Sequence, residues 1–212
     1  MKKLIQLFVW LVCSFTVIIA GAKHHKSPRP TPVVNQEVTK GPGILVTGPA
    51  FKLPQGIVLA KKAIPGYDFG TNCELGAGGL VSVRLGLRNK TSQPVTVILP
   101  AGLTFISLDE KTQNGILIKE EAIVVPAGST TSHNLALFCL NEERDITKAK
   151  DKYKLGPVSD DQDLKVIMEL LQDKDLKDEH DHAMAQKVIW DVTKGFALTA
   201  AQHRNIASIP RI

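Results

Sequence analysis

The chain has 212 residues and 43% hydrophobic side chains, with 26 Lys and Arg against 21 Asp and Glu, for a formal net charge of +5. Loss of Lys2 and Lys3 with the leader described below lowers that charge to +3, a nearly balanced surface. No cluster of basic residues interleaved with aromatics argues for nucleic acid as a partner, and the length suffices for one domain with a sizeable core.

The opening run MKKLIQLFVWLVCSFTVIIAGAK places Lys2 and Lys3 before an almost wholly apolar stretch from Leu4 to Ala20, followed by small residues. That order predicts a secretory signal peptide over residues 1–22, cut after the A-x-A of Ala20 to Ala22. The alternative on the same residues is a retained anchor, since the run sits at the lower edge of bilayer-spanning length. The expected location is the periplasm or the extracellular space, with no membrane span left after cleavage. Cys13 lies inside the apolar run, which argues against lipidation there.

Residues 23–42, with prolines at 28, 30, 32 and 42, predict a Pro-rich linker or arm. Brief strands are expected at Ile44 to Thr47 and Gly56 to Ala60, then a glycine-rich loop from Gly66 to Gly79 around Cys73. The strongest signal is LVSVRLGLR from Leu80 to Arg88. Val81, Val83, Leu85 and Leu87 alternate with Ser82, Arg84, Gly86 and Arg88, the pattern of a half-buried strand. A turn at Asn89 to Gln93 predicts a hairpin-like connection to a second run, Pro94 to Leu99. Further strands are expected at Leu103 to Leu108, within ILIKEEAIVV, and in SHNLALFCL, separated by Pro, Gly and Asn corners.

Short strands divided by compact turns, without crossover helices, predict an antiparallel β-sandwich of the immunoglobulin type or similar over residues 43–141. Residues 142–212 are expected to form a helical segment packed on it, giving a mainly β, α+β chain. Ser159 and Gln162 stand at capping-box spacing before a helix over 160–173, a second helix is expected over 179–194 with Gly195 at its end, and a third starts at Thr199 with Gln202.

Cys73 and Cys139 remain after cleavage in an oxidising compartment, so a disulfide between them is expected. On the chain-entropy model it contributes about 4 kcal/mol. The phrase DEHDH offers His180 and His182 as zinc ligands, although residues two apart on a helix do not share a face. After cleavage, the new terminus Lys23-His24-His25 has the donors of a square-planar copper(II) or nickel(II) site. Otherwise no cofactor is expected. Neither a G-x-S-x-G elbow, nor a Cys and His pair at a known spacing, nor a phosphate-binding loop occurs, so the chain is read as non-enzymatic.

Phe138-Cys139-Leu140 at a strand end, followed by Ala185-Gln186-Lys187-Val188-Ile189-Trp190, resembles the two short signatures of bacterial thioester domains. In that family a Cys flanked by apolar residues bonds to the Gln of an apolar-Gln-x-x-apolar-aromatic motif, on a β-sandwich carrying helices. The resemblance covers two motifs and implies a Cys139–Gln186 thioester that captures amines on a partner surface. The chain departs from the family in the short spacing of the two motifs, in the additional Cys73, and in having no cell-wall sorting signal at its end. The sequence reading is therefore a secreted or periplasmic non-enzymatic binding or envelope-associated module, whose partner is a protein or cell-surface component. Its alternative is covalent adhesion through Cys139 and Gln186, and a third class is a hydrolase with residues scattered over loops.

Overall fold

The computed structural model describes residues 47–212 apart from 69 and 71. The expected leader, the Pro-rich arm, most of the strand at Ile44 to Thr47, and His24 and His25 lie outside the described residues.

Three short strands come first: β1 (Ile57–Leu59), β2 (Ile64–Pro65) and β3 (Leu75–Gly76). They are followed by β4 (Val81–Asn89), β5 (Val95–Leu99), β6 (Leu103–Ser107), β7 (Gly115–Ile116) and β8 (Glu121–Val125). Then come the long β9 (Thr130–Cys139), β10 (Lys152–Val158), and helices α1 (Gln162–Leu171), α2 (Glu179–Thr193) and α3 (Ala200–Ser208). One sheet runs in the order β1-β4-β9-β7-β6-β10-β2, and β5 and β8 form a second, two-stranded one. Pairing is antiparallel except for β3, which lies parallel to β9. The fold is therefore β-rich α+β, a sandwich-like and mostly antiparallel sheet structure carrying three short helices.

The alternation that opens at Val81 has a direct cause in the sheet. Val81, Val83, Leu85 and Leu87 are fully buried on the inner face, while Arg84 and Arg88 project outward to solvent. Each such aliphatic side chain is worth roughly 1.5–3 kcal/mol on burial. β4 pairs with β9 continuously from Val81 opposite Leu137 to Arg88 opposite Thr130. Opposite this face, Val97, Leu99, Ile123 and Val125 of the β5–β8 ribbon close a single inner core. On the outer face, Ile116, Ile118, Phe138 and Leu140 meet the apolar stripes of the three helices in a second core.

Three expectations are corrected. β4 and β5 do not form a hairpin, because β5 crosses to the facing ribbon. Asn89, fully buried, clips that crossing: its side-chain amide donates to Gln93 O at 2.7 Å and Val125 O at 3.0 Å, and its Oδ1 accepts from Thr91 N at 2.8 Å. The sheet does not stop at residue 141, since β10 pairs with β6 inside the segment expected to be helical. Gly156 and Pro157 hid it, and its register slips between Leu155 and Val158. Finally, Ser159 does not cap α1. Asp161 does, its carboxylate accepting from Leu164 N at 3.0 Å, where a helix amino terminus favours negative charge. The Thr199 and Gln202 capping box forms as expected, and Gly195 follows α2 with φ 94°.

Candidate functional site

Cys139 ends β9, and what it meets follows from where β4 begins. Down to Leu137, β4 occupies one edge of β9. Main-chain groups alternate between a strand's two edges, and Leu140 N–H turns to the other edge, donating to Asn114 O at 2.9 Å. The N–H and C=O of Cys139 therefore face the position β4 has already left. Buried without partners, they would each cost about 1–3 kcal/mol.

Gln186 of α2 takes the place of the missing strand. Its Oε1 accepts from Cys139 N at 2.9 Å and its Nε2 donates to Cys139 O at 2.8 Å. Gln186 is 3% exposed and Cys139 fully buried, so the pair is closed to bulk water. The two hydrogen bonds dock the carboxamide on the main chain of the residue that carries the thiol. The helix reaches this position because Ala185, Val188, Ile189 and Val192 bury one face in the outer core. His182, Gln186 and Trp190, each one turn apart, form a row along β9. His182 stacks on Phe138 with ring centroids 4.8 Å apart, Gln186 holds Cys139, and Trp190 packs on the inner core.

The thiol sits between opposing influences. Burial pushes its pKa up and the carboxylates of Glu143 and Glu142 add to that, while the Trp190 side chain and the Asn141 main chain pull it down. Asn141 N–H donates to the sulfur at 3.2 Å. The indole N–H of Trp190 is buried and has no hydrogen-bond partner of regular geometry among the described residues; the thiol is the group it influences. At neutral pH the sulfur is therefore a protonated thiol, with two N–H donors bearing on it.

The other candidates fall elsewhere. No disulfide joins Cys73 and Cys139. Cys73 bonds the side chain of Ser82, which projects from the outer face of β4, whereas Cys139 belongs to the inner core. The sheet itself separates the two sulfurs, which corrects the expected disulfide. Cys73 lines an outer cleft of about 520 Å³ with His182, Lys119 and Lys177, and its thiol pKa is raised, by burial first. His180 is exposed while His182 is partly buried against Phe138, so the two do not form one ligand set. Among the described residues no group of three metal-ligating side chains gathers. The sequence reading took Trp190 only as the aromatic residue that closes the second motif and overlooked its N–H. The signal was available, since Trp190 stands one helical turn beyond Gln186.

Comparison with family profiles, with curated proteins and with solved structures returns no match for this chain.

Proposed function

We propose that this is an exported, non-enzymatic binding module that binds covalently, through an internal thioester between Cys139 and Gln186. The observation that carries the reading is the two-point docking of the Gln186 carboxamide on Cys139, 2.9 and 2.8 Å, inside a buried site. In forming the thioester, Sγ bonds to Cδ of Gln186, the C–N bond breaks, and the thiol proton leaves with the amide nitrogen as ammonia. In capture, an amine of the partner attacks Cδ, the C–S bond breaks, and the products are a substituted amide and the Cys139 thiol. Each molecule reacts once, so the chain consumes itself rather than turning over. Burial protects the bond from water until the amine arrives.

Intact mass tests the reading. The exported protein is expected about 17 Da below its formula mass through loss of ammonia, and Cys139→Ala and Gln186→Ala at their formula masses. Methylamine should add one amine to the wild type alone. A wild-type mass equal to the formula mass sinks the proposal, and a deficit of about 2 Da would mean a disulfide instead.

A second, non-covalent reading rests on the β5–β8 ribbon. Val124 is 59% and Ile98 42% exposed, and the pairing of Thr96 with Val124 and Ile98 with Ala122 sets them on one face. Exposed apolar side chains on a two-stranded sheet suit a partner's surface. Val124→Lys should abolish retention on envelope material if that face binds, while leaving the mass deficit unchanged.

A further inference from the structure

We infer that the Asn141 main-chain N–H and the Trp190 indole N–H form a cradle for the sulfur anion that leaves when an amine opens the Cys139–Gln186 bond. This rests on the thioester reading and assigns the groups that make the same bond breakable.

Three observations meet at the sulfur. The Asn141 N–H already points at Sγ, 3.2 Å away. It is held there by the corner after β9, in which Arg144 N–H donates to Asn141 O at 3.1 Å and Asn141 Oδ1 accepts from Asn114 N at 3.1 Å. Second, Trp190 packs on the inner core to which Cys139 belongs, and its Nε1–H is buried and lacks a regular acceptor, an arrangement that costs free energy in the resting protein. An unmet donor beside a neutral sulfur becomes a matched donor once that sulfur is charged. Third, Trp190 follows Gln186 by one turn of the same helix, so the residue that supplies the acyl carbon also fixes the donor's position.

During capture, the amine lone pair forms the C–N bond to Cδ and the C–S electron pair departs onto Sγ. The anion accepts both N–H donors, then takes the proton released by the nitrogen and ends as the thiol. Donors placed where charge develops, in a site without water, need no reorganisation as the bond breaks. Glu142 and Glu143 bear on the thiol from the chain just beyond β9, and the Tyr153 hydroxyl lies on the inner-core side, donating to Gln113 O. All three are acidic groups and none relieves a negative sulfur. Glu142 is in addition tied to Lys194. Among the described residues the two N–H groups are therefore the stabilising contacts, which makes Trp190 a positioning residue for the departing sulfur.

The test uses the full exported protein carrying Trp190→Phe and, separately, β-(3-benzothienyl)alanine at position 190, which keeps the two-ring shape and replaces N–H by sulfur. Methylamine opening is followed by intact mass. Both variants should still show the ammonia deficit and open about a hundredfold more slowly or worse, by analogy with loss of one oxyanion donor. In a Gln186→Ala background, where no thioester can form, alkylation of Cys139 against pH should show a higher thiol pKa with either replacement. Unchanged opening and an unchanged titration overturn the cradle while the thioester stands. A wild type without the deficit overturns both, and by a different measurement.

Discussion

Two neighbouring residues of β9 show how one strand divides its work. Phe138 points outward, is fully buried, and carries the helices through His182 and the outer core. Cys139 points inward, is equally buried, and its main chain holds the Gln186 amide. Burial is the same on the two sides of the sheet, and its consequence is not. On the outer face it stabilises the helical layer; on the inner face it removes water from a thiol.

The sharpest way to break this comparison is Phe138→Ala, which should destabilise by about 3–5 kcal/mol in urea melts, since an aromatic removed from a packed core leaves a cavity. Cys139→Ala, one residue on, should cost no more than about 1 kcal/mol against wild type already opened by methylamine, so that the lost cross-link is not counted, and yet abolish the mass deficit and amine uptake. Equal losses from the two substitutions would mean that the inner site is packing alone. Gln186→Ala stands between them. It strands the Cys139 N–H and C=O beyond the start of β4, and should cost about 2–4 kcal/mol against the same amine-opened reference while also removing the deficit.

Much of the sheet was legible because alternation between Val81 and Leu87 is a direct record of which face is buried. The helices were legible through their apolar spacing and through Thr199 and Gln202. What escaped depended on distant partners. The crossing at Asn89 looked like a hairpin because turn chemistry does not state which strand comes next, and Val125 O, the acceptor that decides it, lies 36 residues away. β10 escaped because its pairing with β6 tolerates a glycine, a proline and a register slip. At the site, two short motifs pointed to Cys139 and Gln186, but the reason the glutamine is buried there, an unpaired strand edge, exists only once β4 and β9 are paired. The expected Cys73–Cys139 bridge was wrong for a related reason: counting cysteines ignores the sheet between them.

The row on α2 offers a smaller, pH-dependent effect. Burial holds the imidazole pKa of His182 below its ordinary value, with the Ala77 and Gly78 main chain opposing, and its Nε2 is buried without a regular partner. The unfolded chain takes up a proton below about pH 6.5 that the folded site resists, so stability should fall as pH drops through that value. Urea midpoints at about pH 7.5 and about pH 5.5 should draw closer in His182→Phe, which keeps the stack on Phe138. If the variant retains the full acid sensitivity, the titrating group lies elsewhere.

The smallest effect concerns the outer cysteine. Cys73 is partly exposed beside a cleft, so a maleimide should label it well before the fully buried Cys139, even in Gln186→Ala, where both sulfurs are thiols. Cys73→Ser should change stability by no more than about 0.5 kcal/mol and leave amine capture intact. That outcome would place the two thiols in different roles on opposite faces of one sheet. Loss of capture in Cys73→Ser would instead tie the outer cleft to the inner site, and the division drawn along β9 would have to be redrawn through it.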